Sequence, residues 1–156
     1  MGSGALWAIP VIALTVPIAL ILQQAFAVTP ESPLPPAGQA WGFLLNLLAG
    51  AILAPLGEEL LFRGLATTAW ARGLGARRGI LRGALFFAFV HVLTVTGGTA
   101  GEAFQLATIG FATRIPVALA LGWLFVKRGS IWVPFGLHAA FNAILLVIAE
   151  LAIQTS

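Results

Sequence analysis

Six side chains in this sequence have the types and spacings to do chemistry together: Glu58, Glu59, Arg63, His91, His138 and Asn142. Glu59 and Arg63 are i and i+4, in the Glu-before-Arg order that favours an ion pair on one helix face. His138 and Asn142 are also i and i+4 and share a face. Glu58 and Glu59 point about 100° apart on a helix, which suits division of labour better than one carboxylate dyad. A carboxylate and an imidazole that face one cavity can share the work of deprotonating a water molecule. A second His with an Asn on one face supplies two donors for the oxyanion of a tetrahedral intermediate. Together they would form an amide hydrolase without a covalent nucleophile. The chain has no Cys, and no Ser stands beside a His at a recognisable spacing.

These groups need elements that hold them, and composition says what those are. Of the 156 residues, 60% are hydrophobic and 8% charged, against about 25% charged in a soluble domain. The expectation is an all-α integral membrane protein, a single bundle of about five transmembrane helices with no room for a second domain. The predicted spans run from Ala5 to Val28, with Pro10 and Pro17 as kinks, then from about Trp41 to Trp70, Ile80 to Val95, Phe104 to Val126 and Ile131 to Ile153. Residues 1–40 form the first helix and a Pro-rich loop, and 41–156 a four-helix core. A cleaved signal peptide ending at Ala25-Phe26-Ala27 is the rival for the first helix. No Lys or Arg precedes it, and its apolar core exceeds the roughly 7–15 residues of a signal, so an uncleaved helix is favoured.

Gly73, Gly75 and Gly79 read as breaks in a basic loop with Arg72, Arg77, Arg78 and Arg82, and Lys127-Arg128 closes the fourth span. The basic loops belong in the cytoplasm, which places the N-terminus inside. Net charge of +3 therefore reflects topology and contact with anionic lipid, with no nucleic-acid partner. Trp41, Trp70 and Trp132 fit interfacial anchors.

Measured from the basic ends at 1.5 Å per residue, His91 lies about 13 Å deep, His138 about 15 Å and Glu58 about 21 Å. Three helices thus bring ionisable groups to one layer toward the cytoplasmic side. Each charge in the second span costs about 2.5–3.5 kcal/mol in lipid, so it must turn inward and find partners. Pro55 and Gly57 suggest a loosened backbone just before the acids. Gly136, Ala139 and Ala140 let a neighbour approach His138 closely. Phe87, one turn before His91, is a candidate pocket wall. Arg114, inside the fourth span, has no assigned partner; Glu102, Glu150 or a lipid headgroup are the candidates.

Glu58-Glu59-x-x-x-Arg63, Phe87-x-x-x-His91 and His138-x-x-x-Asn142 resemble the three motifs of the CPBP family, which joins type II CAAX prenyl endopeptidases with bacteriocin-processing and immunity proteins. Gly122-Trp123-Leu124-Phe125 and Gly129-Ser130-Ile131-Trp132-Val133-Pro134 look like its link into the last motif. The resemblance covers about Gly50 to Glu150. It implies that Glu58 and His91 activate the attacking water, that His138 and Asn142 form the oxyanion hole, and that Glu59, Arg63 and Phe87 support them. It also implies an intramembrane glutamate-type endopeptidase acting on a membrane-bound or lipidated peptide, without a metal cofactor.

Other readings stand beside it. Zinc at Glu58, His91 and His138 would make a metalloprotease, though no HExxH spacing supports it. A non-catalytic immunity or scaffold protein is a further reading, which retention of all the motif residues argues against; an ion pathway would also use inward charges, but no pair of interrupted helices in matching halves supports a transporter. A bacterial plasma membrane suits the small, Arg-rich chain, and the oligomeric state is open.

Overall fold

The computed structural model describes residues 2–31 and 35–154. It is built of five helical rods, with no strand among the described residues. These are α1 (Gly2–Phe26), α2 (Ala40–Leu74), α3 (Ala76–Val90), α4 (Ala100–Arg128) and α5 (Trp132–Gln154). The chain is an all-α integral membrane protein. Four rods, α1, α2, α4 and α5, are long and apolar enough to cross a bilayer.

α3 departs from the predicted third span of Ile80–Val95. Its 15 residues rise only about 22 Å, short of the roughly 30 Å hydrocarbon core. It starts earlier than expected because the basic stretch is not a loop. Gly79 and Arg77, Arg78 and Arg82 all lie within the helix, and Arg72 lies in α2. The reversal is confined to Gly75 at φ 85°, a backbone conformation that glycine adopts without steric penalty. At its far end, α3 stops at Val90 and residues 91–94 form turns.

α1 is interrupted at Leu6–Trp7. Pro10 has no N–H to return to the Leu6 carbonyl, and Trp7 N instead donates to Gly4 O at 3.0 Å. Pro17 is carried inside the helix. α4 starts at Thr99, whose hydroxyl accepts the Glu102 N–H, while the Glu102 carboxylate accepts the Gly98 N–H. The two contacts form a capping-box arrangement. α4 ends at Gly129 in the left-handed conformation.

Two apolar clusters hold the rods together. Val11 of α1, Val117, Leu121 and Leu124 of α4, and Leu137 and Phe141 of α5 form one. Phe62 of α2, Ala84 and Phe87 of α3, and Ala118 of α4 form the other. Large apolar side chains such as Leu14, Ile21, Leu53, Leu60 and Phe89 face outward, as expected where lipid is the solvent. Trp41 and Trp132 are exposed, whereas Trp70 meets Phe86 edge to face at 5.6 Å. Conversely, Glu59, Arg63, Thr67, His138 and Glu150 are buried. Glu150 accepts the backbone N–H groups of Ala37 and Gly38, each at 2.8 Å, and ties the loop before α2 to the end of α5.

Candidate functional site

The backbone of α2 is unusual where the two acids sit. Two π-helical segments, Leu48–Leu53 and Leu60–Thr67, flank the α-helical stretch Ala54–Glu59. A proline ring clashes with the carbonyl four residues back, here that of Ala51, and wider π turns accommodate such a mismatch. The second π segment is followed by Thr68, whose hydroxyl donates to Arg63 O at 2.8 Å. The predicted loosening at Pro55 and Gly57 corresponds to these wide turns on either side of the acids.

α3 is brought against α2 by glycines. A Cβ on Gly79 would lie 2.7 Å from the Ala71 backbone, and one on Gly83 would collide with Thr67. Gly79 and Gly83 are one turn apart, as are Thr67 and Ala71, so small residues on both rods let the backbones touch. Two turns beyond Gly83, His91 ends α3 on the Glu58 side. The α3 helix therefore delivers its His from a terminus and not from mid-span.

Hydrogen bonds assign the imidazole tautomers. His91 Nδ1 lies 2.7 Å from Phe87 O, and a carbonyl only accepts, so Nδ1 carries the proton. His138 Nδ1 lies 2.8 Å from Glu59 Oε1, which also accepts Arg63 Nη1 at 2.9 Å. An ion-paired carboxylate is likewise an acceptor, so this Nδ1 is protonated too. The two Nε2 atoms then converge on one oxygen, Glu58 Oε2, at 3.4 Å from His91 and 3.6 Å from His138. That oxygen is buried without a hydrogen-bond partner, as is Glu59 Oε2. Three lone-pair-bearing atoms facing one another form a site that attracts a proton or a proton donor.

Phe87 does more than wall the pocket. Its ring lies 4.2 Å from His91 and 5.8 Å from His138, centroid to centroid. The Arg63 Cζ sits 4.6 Å above it, and Phe62 meets its edge at 4.9 Å. Fixed between both rings and the Arg63 cation, Phe87 sets where the imidazoles stand.

The structure brings Glu58, Glu59, Arg63, Phe87, His91 and His138 into one cluster. Asn142 lies one turn from His138, and its Nδ2 donates to Gly50 O at 2.8 Å, reaching the first π segment. One amide N–H of Asn142 is thus committed to backbone. His138 donates through Nε2 only when both ring nitrogens are protonated, since Nδ1 is held by Glu59. The sequence reading missed this Glu59–His138 bond because contacts between distant helices leave no spacing signal. It also missed Gly50 as a partner of Asn142. Arg114 pairs with neither expected acid: Glu102 and Glu150 accept backbone amides, and Arg114 Nη1 donates to Gly110 O at 2.9 Å.

Glu58, His91 and His138 supply the donor atoms that a zinc site would need. Among the described residues, however, no group of three or more His, Cys, Asp or Glu side chains is arranged to hold a metal ion.

Neither curated proteins nor solved structures gave a match to this chain. A family model described as type II CAAX prenyl endopeptidase Rce1-like matches residues 40–144, a stretch that starts with α2 and contains every member of the cluster. The chain therefore belongs to the Rce1-like family of type II CAAX prenyl endopeptidases, intramembrane peptidases of the CPBP group.

Proposed function

We propose that this protein hydrolyses a peptide bond of a membrane-bound or lipidated substrate by direct attack of water, with Glu58 as general base. The observation that carries this reading is the convergence of both Nε2 atoms on Glu58 Oε2. A water lying against Glu58 and His91 loses a proton to the carboxylate as its oxygen attacks the scissile carbonyl. His91, oriented through Nδ1 by Phe87 O, holds that water by its Nε2. The oxyanion forms toward the free N–H of Asn142 and toward His138 Nε2, which donates once the ring, its Nδ1 proton held by Glu59, has taken up a second proton. Collapse of the intermediate breaks the C–N bond, and the proton held by Glu58 passes to the leaving amine. Glu59 and Arg63 touch no reacting atom; they position His138.

The substrate meets this site from the cytoplasmic half of a plasma membrane, where the basic ends of α2, α3 and α4 attract anionic lipid. The test is a comparison of membrane peptides from cells with the wild-type chain and with Glu58→Gln. Cleavage products that disappear in the variant are expected. Identical peptide profiles in the two strains would point to a scaffold or immunity role.

A further inference from the structure

Where α3 ends, the chain climbs on beside α4 without a helix of its own. A Cβ on Gly122 would lie 3.3 Å from Ile80, and one on Gly110 would lie 3.3 Å from Val92, so the two rods run antiparallel and in register. Beyond Gly110, α4 continues to Ala100, a further rise of about 15 Å. His91 and the turn after it therefore lie below that end of the bundle. Gly97 returns against α4 at Ala103, where a Cβ would stand 2.6 Å from the backbone nitrogen. From Val92 to Gly97 the chain covers a height that takes α4 about 10 Å of helix, so it is stretched beyond helical pitch.

This stretch leaves its main chain open. The Val95 N–H is taken by Val92 O at 3.2 Å. Among the described residues nothing accepts the N–H of Thr94, Thr96 or Gly97, and nothing donates to the carbonyls of Thr94 and Thr96. Both threonines are exposed, and Val95 between them is half-buried. Alternate residues of a stretched chain present N–H and C=O on one edge, so Thr94 and Thr96 offer paired donors and acceptors there. Non-helical backbone at membrane depth persists only when buried in protein or lining water. This edge is not buried. It lines a wet cleft that starts at His91, whose side chain is 24% exposed and 3.4 Å from Glu58. The ligand that supplies N–H and C=O groups at a two-residue repeat is another extended main chain.

We propose that residues 94–97 are a docking edge for the main chain of the peptide substrate, which lies extended along them and so carries the adjoining bond over Glu58 and His91. This deepens the peptidase reading above and rests on it. A substrate that enters past the basic ends of the rods runs beyond His91 onto this edge. The edge reads backbone, so it tolerates many side chains and requires every second peptide N–H.

The test moves a single N-methyl group along a fluorescent apolar peptide. Binding to the full Glu58→Gln chain in lipid nanodiscs is read by anisotropy, and cleavage by the unaltered chain is read by mass spectrometry. Within one run of about four peptide residues, methylation should weaken binding about tenfold at alternate positions, the scale of one hydrogen bond, and little at those between. Thr96→Pro deletes one donor and should weaken binding of the unmethylated peptide to a similar extent. Because the sequence has no Cys, Thr94→Cys gives a single thiol. A water-soluble maleimide should label it, and saturating peptide should block that labelling.

A methyl scan without a two-residue period overturns the proposal, whatever the fate of the Thr96→Pro chain. So does a thiol that stays reactive when peptide is fully bound. Alternating binding without cleavage of any peptide by the unaltered chain keeps the docking edge and removes the peptidase reading. Cleavage and binding that are both indifferent to methylation away from the scissile bond keep the peptidase and remove the edge.

Discussion

Glu58 and Glu59 are neighbours in sequence and both reach His138, yet they occupy opposite kinds of environment. Glu59 is fully buried, pairs with Arg63 at 2.9 Å and takes the Nδ1 edge of His138 at 2.8 Å. Glu58 is 27% exposed and stands at 3.4 and 3.6 Å from two Nε2 atoms. One side of the cluster is closed by short, charge-assisted bonds that fix geometry. The other side is held at looser distances, although each acid keeps one buried oxygen without a hydrogen-bond partner, Glu58 Oε2 and Glu59 Oε2. The lesson is that a closed polar network holds the ring, while the accessible carboxylate is left free to exchange a proton.

That contrast can be broken in order of expected effect. Glu58→Gln should cut peptide cleavage by about 10²–10⁴-fold, the usual reach of general-base catalysis, with little change in thermal unfolding. Comparable losses of stability and activity would erase the distinction between the two acids. Arg63→Ala should lower stability first, and activity with it as His138 loses its fixed position. It leaves Glu59 as an uncompensated buried charge, and such breaks cost about 3–5 kcal/mol, read by denaturation in detergent. Gly83→Val should separate α3 from Thr67 at a cost of about 1–3 kcal/mol for overpacking. Because α3 carries His91, its cleavage rate should fall further than its stability. Chelation should do least: treatment with 1,10-phenanthroline is expected to leave activity unchanged, and loss restored by zinc would transfer the Glu58 side to metal chemistry.

Much of this was readable beforehand because it is local. The Glu59–Arg63 pair, the shared face of His138 and Asn142, and the proximity of Phe87 to His91 are all one-turn relations that helical periodicity encodes. Inter-helix relations were readable only as a common depth. Depth could bring Glu58, His91 and His138 to one layer, but could not say that Glu59 would take one ring nitrogen of His138. The third span was misjudged for a different reason. Arg77, Arg78, Gly79 and Arg82 carry the composition of a loop, and tertiary packing overrode it: Gly79 and Gly83 are spent on contact with α2. Asn142 shows the remaining limit. Its face was right, yet its bond to Gly50 depends on the π turn that carries that carbonyl, and π turns have no sequence period to find.

The single-residue reversal at Gly75 has a consequence for how the molecule is made. A helix of about 22 Å bearing three arginines is a poor candidate for independent insertion into a bilayer. Joined to α2 through one residue, and matched to it at Ala71 and Thr67, α3 enters the membrane as the second arm of a hairpin. His91 is then delivered to Glu58 by the insertion event itself, and chains truncated after Val90 should already hold α2 and α3 together while α4 and α5 are still to come.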